Sequence, residues 1–271
     1  MHAQFSMVES GMEGITLGTT TEFVNASSGV VRIGQTVRRP AHRNTPIVQS
    51  LLKHLEETSF AGAPRALGID REGREMVSYI NGTAGHYPLK PYVLSNSTLI
   101  QVAQLLRRFH EASASFSAPA TSIRSHPLAG RGEVMCHGDA GPYNIIFCKG
   151  KPIALIDFER ATPGPRIWDI AFVVYRFAPL CDLQEDRLTS GFLRRIARRI
   201  QLFLDAYGIS QNDDLFGWIQ LRLRTEIDLF ESEEADEITE RKKKIEAGHL
   251  DLYKRDLRLI GGVSGMLRRL I

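Results

Sequence analysis

Cys136-His-Gly-Asp-Ala-Gly-Pro-Tyr-Asn-Ile-Ile-Phe147 and, shortly after it, Pro152-Ile-Ala-Leu-Ile-Asp157-Phe-Glu159 bring His137, Asp139, Asn144 and Asp157 close together along the chain. The apolar runs beside these polar positions read as short strands that hold the intervening turns still. Asp139 is a carboxylate able to accept a hydroxyl proton, and Asn144 and Asp157 offer the hard oxygen donors that Mg²⁺ prefers. Phosphoryl transfer asks for that combination, an oriented hydroxyl and a divalent cation to neutralise phosphate charge. A His-Gly-Asp triplet by itself is commonplace; the weight rests on Asn144 and Asp157 following at these spacings.

Towards the N-terminus, Gly29-Val-Val-Arg-Ile33, a Gly34-Gln35 turn and Thr36-Val-Arg-Arg39 read as a hairpin stopped by Pro40. Thr45-Pro46 predicts a helix start, with Ile47, Leu51, Leu52 and Leu55 at helical spacing through Glu57. Arg65 to Ile69 and Arg74 to Ser78 predict two further strands around a polar Asp70-Arg71-Glu72-Gly73 turn, and residues 79–94 a connector. Ser97 to Ser117 is amphipathic through Leu99, Val102, Leu105, Leu106 and Phe109, and helical periodicity returns after residue 160. The expected fold is α+β, with a small strand-rich lobe over residues 1–80 and a larger helical lobe over 81–271.

These stretches resemble the catalytic and metal-binding loops of the aminoglycoside phosphotransferase and choline kinase superfamily, which is itself similar to protein kinases. Leu105-Leu-Arg-Arg-Phe-His110 resembles the helix before the catalytic loop, and Gly164-Pro-Arg-Ile-Trp-Asp169-Ile-Ala171 the segment after the metal aspartate. The resemblance implies a protein-kinase-like fold with the active site in the cleft between the lobes. It implies Asp139 as catalytic base, His137 as brace of the catalytic loop, and Asn144 and Asp157 as Mg²⁺ ligands that also hold the nucleotide. ATP is the implied co-substrate, with GTP an open alternative, and the implied acceptor is a hydroxyl of a small molecule: an aminoglycoside-like compound, a sugar or an amino alcohol. Asp169, near a helix start, reads as a cap or loop brace more than as a catalytic group.

Family kinases carry a basic residue on the third strand, and Val37-Arg38-Arg39-Pro40 resembles that strand with arginine in place of lysine. Strand alternation admits either arginine as the one facing the cleft, the other being a solvated charge, and we assign Arg38. Asn25-Ala-Ser-Ser-Gly29 contributes Ser27 and Ser28, whose backbone amides can cradle a phosphate, without a Walker or GxGxxG pattern. Glu75-Met-Val-Ser-Tyr-Ile-Asn-Gly82 resembles the hinge against which a base lies, with backbone groups of Val77, Ser78 and Tyr79 reading it. One departure stands out: the helix glutamate that pairs with the strand base in related kinases has no counterpart in Thr45-Pro-Ile-Val-Gln-Ser50, and Glu56 and Glu57 lie about two turns too late.

Composition is that of an ordinary globular chain, 43% hydrophobic and 24% charged, and the net charge of +3 is too small to argue for a nucleic-acid or membrane partner. Cys136, Cys148 and Cys181 follow no metal-ligand spacing and read as buried thiols of a reducing compartment. With no basic-then-apolar leader and no long uncharged apolar run, a cytoplasmic location is expected. Asp182, Glu185, Asp186, Glu226, Asp228, Glu231, Glu233 and Glu234 offer an acidic lining for a cationic acceptor, although the run from Glu231 to Glu246 also reads as a solvated helix face. Two rival functions remain: a catalytically impaired kinase-like protein that binds nucleotide or ligand, and metal-assisted hydrolysis by His137, Asp139 and Asp157, which leaves Asn144 idle. Phe158-Glu159, where protein kinases have Phe-Gly, argues against a protein substrate.

Overall fold

The computed structural model describes residues 23–25, 29–118, 132–209, 214–232, 245–246 and 248–271. β1 (Phe23–Asn25), β2 (Val30–Ile33), β3 (Thr36–Pro40), β4 (Ala66–Ile69) and β5 (Arg74–Ser78) form one antiparallel sheet in the order β1-β2-β3-β5-β4. Gly34 takes φ 58° in the turn between β2 and β3, a left-handed conformation that glycine adopts without a steric penalty. The register sets Arg38 opposite Met76 and Arg39 opposite Glu75. Because successive side chains leave a strand on opposite faces, the sheet separates the two arginines.

The first helix, α1 (Thr45–Glu57), follows its predicted bounds and buries Ile47, Val48, Leu51, Leu52 and Leu55 on one face. Asn44 is its N-cap, so Thr45 lies one step inside the helix, where its hydroxyl accepts a hydrogen bond from the His42 amide at 3.0 Å. The second, α2 (Asn96–Ser113), opens on a Ser95 cap that accepts from the Thr98 amide at 3.1 Å. It ends at Ser113, short of the predicted Ser117. Ser115 and Ser117 are residues whose hydroxyls compete for backbone groups, and Phe116 turns back onto the core.

Beyond the connector, β6 (Thr83–Ala84), β8 (Ile145–Cys148) and β9 (Lys151–Leu155) make a three-stranded sheet, while β7 (Val134–Cys136) pairs with β10 (Thr162–Gly164). Four longer helices complete the described fold: α3 (Arg166–Phe177), α4 (Ser190–Tyr207), α5 (Leu215–Glu231) and α6 (His249–Arg268). This is the expected protein-kinase-like α+β arrangement. A continuous apolar core runs from Ile47 on α1 to Leu267 on α6, so α1 shares its packing with the helical half. Of the cysteines only Cys136 is buried, Cys148 and Cys181 being partly exposed. Among the described residues no helix is long and apolar enough to cross a membrane.

Phe109, fully buried on α2, sits where that core meets the polar loops: its ring is 5.5 Å from Phe158, 6.0 Å from Phe60 and 6.3 Å from His137. Removing a buried aromatic ring costs its transfer free energy and leaves a cavity. Phe109→Ala is expected to lower unfolding free energy by about 3–5 kcal/mol, measured by urea denaturation; a loss below about 1 kcal/mol would show that the cluster collapses freely around the gap.

Candidate active site

Asp169 in the first turn of α3 is fully buried and organises the loop between β7 and β8. Its carboxylate accepts hydrogen bonds from the backbone amides of His137 at 2.6 Å and Gly138 at 2.9 Å, and it meets Nε2 of the buried His110 at 3.1 Å. Burial alone would raise the pKa of this acid. The hydrogen bond and charge of His110, the proximity of His137 and the Gly138 amide outweigh burial and hold the carboxyl below its usual range. Gly138 has φ 79°, and a Cβ there would run into the Arg160 carbonyl, so the close approach of the two loops requires glycine.

His137 fastens this loop to the next. Its Nδ1 accepts from the Asp139 amide at 3.2 Å, which leaves Nε2 to donate to the Ile156 carbonyl at 2.9 Å. The imidazole lies 4.6 Å from the Phe158 ring and is buried, so the position suits bracing, with no open path to a reacting atom. Asp139 is partly exposed; one oxygen accepts from the Tyr143 hydroxyl at 2.7 Å and the other from Asn144 Nδ2 at 3.2 Å. Tyr143's hydroxyl is held protonated, first by burial and then by the Asp139 charge.

Asp157 follows β9 in the left-handed region, φ 64° and ψ 67°, a costly conformation for a residue with a Cβ and one that recurs at functional positions. The Ile156 amide donates to the Asn144 carbonyl at 2.9 Å, which ties the two oxygen donors together through their backbones. Asn144 spends its Nδ2 on Asp139, and no hydrogen bond engages its side-chain oxygen among the described residues. Among the described residues no group of three or more His, Cys, Asp or Glu side chains could hold a metal by itself. One carboxylate with one amide oxygen nonetheless fits Mg²⁺, which keeps water and phosphate oxygens in its shell instead of a full protein cage.

On β3 the two arginines have different partners. Arg38 lies on the outer side with Asp70, Nη1 to Oδ2 at 3.4 Å, whereas Arg39 reaches Asp157 through Nη1 and Glu75 through Nε, both at 2.5 Å. Pleating decides this: the two neighbours must point apart, and Arg39 takes the side where Glu75 and Asp157 lie. Burial opposes the Arg39 charge, and Asp157 and Glu75 more than offset it. Glu75 is fully buried and also accepts from Gln49 Nε2 of α1 at 2.9 Å. The missing helix acid is thus replaced from β5, with a glutamine on the helix holding it. An acid sharing a strand face with Val77 was the signal for Glu75 in the sequence.

At the hinge, the amides of Ser78 and Tyr79 already donate to the carbonyls of Arg65 and Gln35, at 3.0 and 2.8 Å, and β5 has strands on both sides at Val77. The amides of Ser78 and Tyr79 are therefore engaged within the protein. Ser27 and Ser28 lie outside the described residues.

The expected acidic acceptor lining is also revised. Glu226 is buried in a bridge to Arg160 at 2.9 Å and Arg222 at 3.3 Å, and Arg222 donates to the Gly138 carbonyl. Both arginines, after the burial that opposes charge, hold Glu226 ionised. Asp186 and Asp228 are exposed, Glu185 and Glu231 pair with Arg258 and Lys254 at the surface, and Glu233 and Glu234 lie outside the described residues, as does the side chain of Asp182. Trp168 and Tyr175 are core residues.

Residues 122–203 match the family described as the phosphotransferase enzyme family. A trifolitoxin immunity protein of Rhizobium leguminosarum bv. trifolii is 36% identical over 189 residues, covering 67% of this chain and 71% of the relative. The chain belongs to the phosphotransferase enzyme family. Among solved structures it resembles a spectinomycin phosphotransferase in complex with ADP and spectinomycin (TM-score 0.56, 12% identity, 96% of this chain and 93% of that one). It also resembles an amicoumacin kinase in complex with AMP-PNP and Ca²⁺ (TM-score 0.55, 11% identity, 91% and 87%). At such identities the likeness is one of fold.

The Asp169 carboxylate gives a prediction with a sign. Its pKa is lower folded than unfolded, so its contribution is complete above the unfolded value of about 4 and is lost as pH falls through the folded one. Against Asp169→Asn, wild type should be more stable by about 3 kcal/mol at pH 7, and that advantage should shrink below about pH 4. Urea denaturation across this range checks it; a difference independent of pH would refute the linkage.

Proposed function

We propose that the chain is a nucleotide-dependent phosphotransferase acting on a small-molecule hydroxyl, with residues 1–80 as the nucleotide-binding lobe and 81–271 as the catalytic and acceptor lobe. The observation that carries this is the meeting of Asp139, Asn144, Asp157 and Arg39 at one place. Asp139 accepts the proton of the acceptor hydroxyl while that oxygen attacks the γ-phosphorus of ATP. The bond from that phosphorus to the bridging oxygen breaks, and ADP departs. Tyr143, donating to the Asp139 oxygen, fixes the direction from which the hydroxyl must approach. A Mg²⁺ ion held by Asn144 and Asp157 with the nucleotide phosphates would neutralise charge on the transferred group.

Arg39 is the phosphate-contacting base in this reading. Its guanidinium spans Glu75 and Asp157 and can turn one edge to a phosphate oxygen while Glu75 keeps the other. His137 positions Asp139 through the loop backbone and exchanges no proton with substrate. A second reading, a binding protein without turnover, draws on the Arg39–Asp157 contact, which occupies a metal-ligating oxygen. The immunity designation of the rhizobial relative is compatible with either chemistry, phosphorylation or sequestration of a harmful compound.

ADP release with ATP, Mg²⁺ and a panel of hydroxyl compounds tests the transferase. Asp139→Asn should lower kcat by about 10²–10⁴ without loss of nucleotide binding; acceptor-dependent turnover that survives in this variant would exclude Asp139 as base. For the nucleotide end, Arg39→Met should weaken Mg·AMP-PNP binding by about tenfold or more in calorimetry, and Arg38→Met should leave it within about twofold. The reverse ranking would restore the assignment made from sequence.

A further inference from the structure

The acceptor side of the site holds an arginine that nothing in the mechanism uses. Arg176, in the last turn of α3, is 9% exposed and donates through Nη2 to the Tyr253 hydroxyl at 2.8 Å. Aromatic rings surround its guanidinium: Tyr175, Phe172, Tyr253 and Tyr143 lie 5.0, 5.2, 5.7 and 5.9 Å from its central carbon. Its Nε is buried without a hydrogen-bond partner, and among the described residues no carboxylate forms an ion pair with it.

Its neighbours differ in this respect. Arg160 and Arg222 share Glu226, and Arg222 also serves the Gly138 carbonyl. Among the described residues Asp256 bonds the Tyr175 hydroxyl, at 2.7 Å, and the Arg255 guanidinium, and it forms no ion pair with Arg176. Aromatic faces attract a cation but do not neutralise it, and a guanidinium withdrawn from water without a counter-ion is costly. The link to chemistry runs through one residue: the Tyr143 ring flanks Arg176 while its hydroxyl bonds Asp139.

We propose that Arg176 is the counter-ion of the acceptor, and that the acceptor is a hydroxy acid whose carboxylate pairs with this guanidinium while its hydroxyl faces Asp139. The proposal rests on the phosphotransferase reading and names its substrate class. A guanidinium without an ion-pair partner among the described residues matches one carboxylate, whose planar oxygens suit its fork, with Tyr253 as an orienting hydroxyl. A polycationic acceptor meets the opposite environment, because Glu226 is already matched by two arginines and Arg176 repels any further cation.

The test is a calorimetric titration of the full chain, with and without saturating Mg·AMP-PNP, using matched compounds that differ only in charge. Glycolate is compared with ethylene glycol and ethanolamine, D-glycerate with glycerol and 3-aminopropane-1,2-diol, and D-gluconate with sorbitol. At least one acid should bind about tenfold or more tightly than its neutral and cationic partners. That preference should vanish in Arg176→Met and return in part in Arg176→Lys, with Mg·AMP-PNP affinity unchanged in both. Should Arg176→Met fail to fold, Tyr253→Phe, which removes the hydroxyl orienting the guanidinium, carries the same readout. Tighter binding of the neutral or cationic members, no acid binding at millimolar concentration, or an acid preference untouched by these substitutions would each overturn the proposal. Failure of Mg·AMP-PNP to bind would instead strike the phosphotransferase reading, and the acid series without nucleotide would still report on Arg176.

Discussion

A single buried carboxylate, that of Asp169, sets the loop on which the site is built. It takes up two successive backbone amides, at His137 and Gly138, that no strand or helix satisfies, and it is hydrogen-bonded to His110 from α2. A buried acid with those partners is well placed; the same acid without them would be expensive, as would the amides without the acid. Loop, helix and carboxylate therefore stand or fall together. From that fixed point His137 carries the constraint to Ile156, and so to Asp157, by one ring and two hydrogen bonds. The proposed base and the proposed metal ligand keep their distance because both hang from a common anchor.

The strand-rich half joins this arrangement through charge. Arg39 crosses from β3 to Asp157, Asn44 Nδ2 donates to the Glu159 carbonyl at 3.0 Å, and the Leu155 amide donates to the Gly62 carbonyl at 2.8 Å. Two of these contacts come from segments flanking α1, whose apolar face enters the common core beside α2. The sheet is thus held over the loops at several separated points, and the side chains that meet in the cleft are positioned by both halves.

How legible this was in the sequence follows from what each feature depends on. Helices α1 and α2 carry apolar residues at helical spacing, and the strands are short apolar runs between turn residues, so both were readable; the α2 terminus was not, because a serine-rich end gives no periodic signal. Asp139, Asn144 and Asp157 stood out as candidates because their residue types and spacings are those that the proposed chemistry asks for. The partners of Arg38 and Arg39 were not readable because strand alternation says that the two diverge but not which way, and the direction is set by Glu75, distant in sequence and adjacent only by strand register. The partners of the acidic residues were hidden for the converse reason: composition counts a carboxylate, while only packing reveals that Glu226 is paired with Arg160 and Arg222.

The replacement of a helix acid by Glu75 alters how such a site can be controlled. In kinases whose strand base pairs with a glutamate on the neighbouring helix, swinging that helix makes or breaks the pair, and the enzyme acquires a switch. Here both members belong to adjacent strands of one sheet in direct register, Arg39 opposite Glu75, and Gln49 gives α1 only a supporting hydrogen bond. Displacing the helix would loosen a brace without parting the ions. The pair is therefore fixed by strand register, and movement of α1 is removed as a means of parting it.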